Sequence, residues 1–278
     1  MFHAPMLVAS PDVEFAGIWA RRHDQAAALA AKHGVPAVAE IDELFGRCDA
    51  VAFAVPPDVQ SEFAVRAAHA GCHLLLDKPL GLDVGQAQAV ADAAEACGIV
   101  SQLILTNRYR PSVLKFLAEA AHFAGHGARA AWIGGASLPG AYFATPWRIK
   151  HGALLDLGPH VLDLLEGALG PIVDVRSGGD PTRWIELTCV HGGGAVSQAS
   201  LSITTPIEPA VARIDLFGPA GSMVLDTTRN ARDFGDAMAA IPAEFAAAVA
   251  AGEGHPLDAR RGLHLQQLMA AAMAQHSG

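Results

Sequence analysis

The sequence predicts an α/β domain with a parallel sheet, followed by an α+β domain with a mainly antiparallel open sheet. Three observations carry this. From Val13 to Leu105, continuous apolar runs of strand length alternate with helical periodicity, the pattern of strands buried on both faces. After about Arg110 the chain turns to β-like stretches with Gly-rich breaks and few helices between them, which favours antiparallel pairing. Apolar residues make up 51% of the 278, ample for a core and for a subunit interface.

Each element follows in order. VEFAGIWA (13–20) reads as a buried strand, and DQAAALAAKHG (24–34) as a helix closed by Gly34. DELFGR (42–47) is a short helix, and AVAFAV (50–55) is a second strand stopped by Pro56 and Pro57. Asp58 can cap the helix that ends at Gly71. HLLLDKP (73–79) is a third strand, 83–98 a helix, and IVSQLIL (99–105) a fourth strand. A helix over 112–123 opens the second part. The strands ARAAWIGGASL, WIELTCV, AVSQASLSI, ARIDLFG and GSMVLD follow, and helices over 236–251 and 258–275 close it. The expected division is 1–108 and 109–278.

A formal charge of −9 gives no general attraction to nucleic acid or to an anionic membrane. The four cysteines are scattered without a C-x-x-C, which suits reduced thiols. The N-terminus lacks the basic segment and apolar core of a signal peptide. No uncharged apolar stretch reaches spanning length, since even the Ala-rich tail carries Glu244. These features lead us to expect a soluble cytoplasmic protein.

Lysine is rare: Lys32, Lys78, Lys115 and Lys150 stand against fifteen arginines. Lys78 ends an apolar strand, where parallel sheets place their ligand crevice, so it could hydrogen-bond a reacting oxygen. The plain alternative is a lysine reaching for solvent. In ALLDLGPHVLDLL (153–165), Asp156 and His160 interrupt a greasy run. If Gly158 and Pro159 start a helix, its N-terminus favours an ionised Asp156 and a neutral His160, the form a general base needs. The alternative is a capping carboxylate and a satisfied core histidine. His122 and His126 lack a third nearby ligand, and no metal is expected.

The ordered landmarks resemble the Gfo/Idh/MocA oxidoreductases, the family of glucose–fructose oxidoreductase and inositol dehydrogenase. LLLDKPL (74–80) is similar to that family's Glu-Lys-Pro motif, with Asp77 in place of Glu. AVPPDVQSEFAVRAAHAG (54–71) resembles the strand-to-helix turn before it, although Gln60 stands where a His is common. PWR (146–148) with GALLDLGPHVLDLL (152–165) resembles the segment leading into the catalytic helix, and 255–274 the closing helix.

The resemblance implies a Rossmann-type domain binding NADP or NAD. It also implies hydride transfer at a hydroxyl or carbonyl of a sugar, cyclitol or similar small polyhydroxy substrate. Lys78 would hold the substrate oxygen, His160 would be acid/base, and Asp156 would orient or charge-balance it. Cofactor contacts would come from Val55, Pro56, Pro57, Asp77, Lys78 and Arg148. Arg21 and Arg22 follow the first strand, where an acid usually binds the ribose 2′-hydroxyl; arginine suits a 2′-phosphate, so NADP is favoured. The C-terminal sheet would supply a homodimer or homotetramer interface.

The chain departs from the family at its start. FHAPMLVAS (2–10) resembles the crossover helix that follows the Gly-rich turn, while the first strand and that turn are missing. Either the natural start lies upstream or this is a shortened protein with impaired cofactor binding. Two rivals therefore stand beside the enzyme: a non-catalytic cofactor- or ligand-sensing module of the same fold, and an inactive truncated form.

Overall fold

The computed structural model describes residues 3–228 and 231–274, and the chain divides into two compact units. The first contains the described residues through Gly81, then Gly85–Ile104 and Met238–Leu263; the second contains Leu82–Val84, Leu105–Ala237 and the described residues from His264.

The first unit carries α1 (His3–Ala9), α2 (His23–His33), α3 (Ile41–Phe45), β1 (Ala50–Ala52), α4 (Pro57–His69), β2 (His73–Asp77), α5 (Val84–Ala96) and β3 (Ser101–Ile104). Its strands pair in parallel in the order β1-β2-β3, with Val51 opposite Leu74 and Leu75 opposite Gln102. Leu74, Leu75 and Leu76 are fully buried, as a continuous apolar strand covered on both faces requires. Gly34 closes α2 with φ 68, the left-handed turn expected of it.

The strand expected over 13–20 is the first correction. It forms only an isolated bridge between Ile18 and Ala37, with Ile18 N–H donating to Pro36 O and Val38 N–H to Ile18 O. Its partner run is short, and Pro36 has no N–H to extend the ladder.

The second unit begins with a single 3₁₀ turn (Thr106–Tyr109) and α6 (Pro111–Ala120). It continues with β4 (Gly127–Ile133), α7 (Pro146–Leu169), β5 (Ile172–Asp180), β6 (Trp184–His191), β7 (Val196–Ser202), β8 (Val211–Gly218) and β9 (Gly221–Asp226). Two helices, α8 (Ala231–Ala251) and α9 (Ala259–Ala274), each run from one unit into the other. The sheet order is β5-β6-β7-β4-β8-β9, antiparallel except that β4 and β7 run parallel. The sheet is therefore mixed, because β4 inserts between two strands far along the chain. β5 was not expected as a strand, since its Gly178–Gly179 pair reads as a turn.

α7 packs on β4, β6 and β7, and that side of the sheet buries Trp132, Ile185, Leu187, Leu201, Ile214 and Leu216. The alternate positions leave Trp184, Val196, Phe217 and Val224 exposed. Where α8 begins, Arg110 Nε donates to buried Asp233 at 2.9 Å, and Ser112 adds bonds from its N–H and hydroxyl. Among the described residues, Arg232–Ala251 is the one helical stretch long and apolar enough to cross a membrane, and it contains Asp233, Asp236 and Glu244.

Candidate active site

In the first unit, the site residues gather where β2 ends. Asp77 is its last residue and Lys78 follows, partly buried, before Pro79. Lys78 N–H donates to Asp77 Oδ1 at 2.7 Å, and His3 Nε2 stands 3.9 Å from Asp77 Oδ2. Below them sits Gln60 of α4, 1% exposed. Its Oε1 accepts from Asp77 N–H at 2.8 Å, and its Nε2 donates to Asp77 O at 2.7 Å and Pro79 O at 3.2 Å. Sequence reasoning noted Gln60 only as a departure from a common His and missed this role; the further signal was a polar residue on a helix face that periodicity buries.

Val55 is partly buried, Pro56 is exposed and Pro57 is buried at the first position of α4. Arg21 and Arg22 are exposed just before α2, and Arg22 makes no side-chain cap bond there. Neither makes an ion pair among the described residues.

In the second unit, α7 carries the other set. Gly152 breaks the helix with φ 75 and ψ −165, so Ala153 starts a fresh helical run and donates its N–H to Pro181 O at 2.9 Å. A Cβ on Gly152 would lie 1.9 Å from that same carbonyl oxygen, which leaves room only for glycine. This corrects the expected helix start at Gly158–Pro159: Pro159 lies inside the helix, and Asp156 and His160 are both helical. Being four apart, they share one face. Asp156 is 5% exposed and falls in the first turn after the break, where helix N–H groups favour a carboxylate.

Arg148 answers that carboxylate. Its Nε donates to Asp156 Oδ1 at 3.0 Å and its Nη1 to Thr145 Oγ1 at 3.2 Å. The guanidinium carbon also lies 4.4 Å from the Trp147 ring centre and 5.4 Å from that of Phe143. The structure thus brings Arg148, Asp156 and His160 together on α7, and Asp77 and Lys78 together at the end of β2. No group of three His, Cys, Asp or Glu side chains able to hold a metal occurs among the described residues.

An open parallel sheet with Lys78 at a strand end is the arrangement in which α/β folds place their nucleotide ligands. The comparisons agree. Residues 1–103 match the GFO_IDH_MocA model, described as an oxidoreductase family with an NAD-binding Rossmann fold. The chain is 30% identical over 245 residues to dTDP-3,4-didehydro-2,6-dideoxy-alpha-D-glucose 3-reductase of Streptomyces violaceoruber, covering 80% of this chain and 68% of that protein. It is 30% identical over 112 residues to UDP-N-acetylglucosamine 3-dehydrogenase of Acidithiobacillus ferrooxidans, 40% of this chain and 35% of that one. The fold matches the crystal structure of GenD2 from gentamicin A biosynthesis in complex with NAD, with TM-score 0.85, 21% identity, and coverage of 98% of this chain and 89% of that one. The chain belongs to the Gfo/Idh/MocA family, and it is a nicotinamide-dependent oxidoreductase.

The residues present fit that cofactor at two places. Arg21 and Arg22, without an ion pair among the described residues, follow the 13–20 segment and would suit a 2′-phosphate, and Val55, Pro56, Pro57, Asp77 and Lys78 lie just past β1 or at the end of β2, at the carboxyl edge of the sheet. The sequence contains no G-x-G-x-x-G turn for the pyrophosphate.

Proposed function

We propose that this chain interconverts a hydroxyl and a carbonyl on a sugar ring, with NADP preferred over NAD and a nucleotide-activated sugar as the favoured substrate class. The observation that carries the chemistry is the α7 arrangement: His160 one helical turn from an aspartate whose charge Arg148 already answers. His160 exchanges a proton with the substrate oxygen, and Asp156, paired with Arg148, fixes the charge around it. Lys78, at the end of β2, is assigned to hydrogen-bond a substrate oxygen and hold the ring. The nicotinamide supplies the hydride acceptor or donor. Two relatives support the substrate class, since their names place their reactions at position 3 of nucleotide-bound sugars.

Residues 1–108 take the nucleotide-binding part and 109–278 the substrate part. The exposed side of the second sheet, with Trp184, Val196, Phe217 and Val224, suits a homodimer or homotetramer interface. The protein acts in the cytoplasm, with no nucleic-acid or membrane partner.

A cofactor- or ligand-sensing module of the same fold is the alternative reading. Titrating NADPH and NADH by fluorescence, then adding a panel of nucleotide-activated and free sugars, separates the two. The enzyme reading expects turnover that His160→Asn and Lys78→Met each reduce by at least about a hundredfold. Binding of NADPH without turnover of any sugar would favour the sensor, and binding of neither cofactor would sink both.

A further inference from the structure

We infer that Gln60 is the positioning residue for Lys78. This rests on the reading of Lys78 as a substrate-holding ammonium. Gln60 lies on α4, seventeen positions before Asp77, and is buried to 1% exposure beneath the turn that carries the lysine. A buried carboxamide must be satisfied, and here both of its ends are used on one short stretch of backbone. Oε1 takes the Asp77 N–H at 2.8 Å, while Nε2 gives to Asp77 O at 2.7 Å and Pro79 O at 3.2 Å, with Leu80 O at 3.5 Å.

These backbone groups bracket Lys78 on both sides. Its own N–H is held by Asp77 Oδ1 at 2.7 Å, so the lysine backbone is fixed from below by Gln60 and from the side by Asp77. The bonds also fix the amide's orientation, because a flipped carboxamide would set its NH₂ against the Asp77 N–H and its oxygen against the carbonyls. Few side chains of this size serve both ends. Glutamate has no proton for the carbonyls once ionised, leucine has neither donor nor acceptor, and histidine offers one nitrogen for each role.

The scarcity of lysine makes the test clean. Reductive methylation with ¹³C-formaldehyde gives the four lysines separate methyl signals, and Lys78→Arg assigns the one at position 78. In the full chain, Gln60→Leu is expected to speed hydrogen exchange at the Asp77 amide by about tenfold. It should also shift or broaden the Lys78 methyl signal while leaving those of Lys32, Lys115 and Lys150 in place. Gln60→His, which keeps one donor and one acceptor, should restore part of both effects, and it serves as the folded variant if leucine prevents folding. Unchanged Asp77 exchange and an unchanged Lys78 signal in a folded Gln60 variant would overturn the inference. Lys78→Met tests the underlying reading separately: if sugar turnover survives it, Lys78 does not hold substrate, whatever the methyl signals report about Gln60.

Discussion

Arg148 and Asp156 meet at 3.0 Å across the break at Gly152, so the helix that carries His160 is tied at its start to the segment before it. Both side chains are largely buried, at 16% and 8% exposure. Removing Arg148 leaves a largely buried Asp156 charge short of its cation, at a cost of about 3 kcal/mol. Arg148→Met is therefore expected to lower stability by that amount in chemical denaturation, and Arg148→Met combined with Asp156→Asn should recover most of it. Equal losses in the single and double variants would show that the pair's charge is not what matters. On the proposed reading, in which Asp156 serves His160, turnover should stay low in both.

Gly152 allows a sharper test. Its φ of 75 and the 1.9 Å gap between a built Cβ and Pro181 O cannot be relieved by a side-chain rotation, because the obstacle is backbone. Gly152→Ala should cost upwards of about 3 kcal/mol, from left-handed strain and overpacking together. Gly170→Ala is the control: φ is also positive, at 86, but nothing lies within 4 Å of a built Cβ, so strain alone acts there. A midpoint for Gly152→Ala no lower than that of Gly170→Ala would refute the close approach.

What the sequence disclosed depended on how local the cause was. Leu74–Leu76 could be read as a buried strand because the signal lies in the run itself, and Gly34 as a helix stop because its left-handed turn needs no partner. The helix start on α7 was misplaced because Gly158–Pro159 is the stronger local mark, whereas Gly152 is singled out by a carbonyl at Pro181, far along the chain. The parallel pairing of β4 with β7, and the bonds from Gln60 to the turn at Lys78, are also tertiary facts. Among the site residues, Asp156, His160 and Lys78 stood out as polar groups in apolar runs. Arg148 was expected at the cofactor, and its pairing with Asp156 was not foreseen, since that contact is set by how the helix breaks.

Arg21 and Arg22 bear on cofactor choice. Each guanidinium that bonds a 2′-phosphate contributes a charge-assisted pair worth about 1.5–3 kcal/mol. Arg21→Ala with Arg22→Ala should weaken NADPH binding by about a hundredfold or more and change NADH binding little, since NADH lacks that phosphate. Fluorescence titration reads both. A parallel loss for the two cofactors would mean that the arginines bind something common to both, and the preference for NADP would fall.

The remaining expectation concerns pH. Burial, with Cys72 close by, pushes the Cys48 thiol up to about 11 from an ordinary value of 9.0, and burial pushes Cys189 to about 11 as well. A raised folded-state value means that the native protein holds these protons more tightly than the unfolded chain. Their contribution to stability is therefore complete below pH 9 and is lost as the pH rises toward 11. Asp233 acts at the other end. Burial raises its value, but the Ser112 hydroxyl and N–H, followed by Arg110, outweigh that and hold it below 3.8. Its contribution is present above that value and fades as the pH falls through the depressed one. Denaturation midpoints should therefore decline above pH 9 and below pH 4. Cys48→Ala with Cys189→Ala should flatten the alkaline side alone, and Asp233→Asn the acid side alone. If both cysteines react with iodoacetamide at pH 8 as fast in the native protein as in the unfolded chain, the alkaline half of this account is wrong, because a thiol held near 11 is almost wholly protonated there.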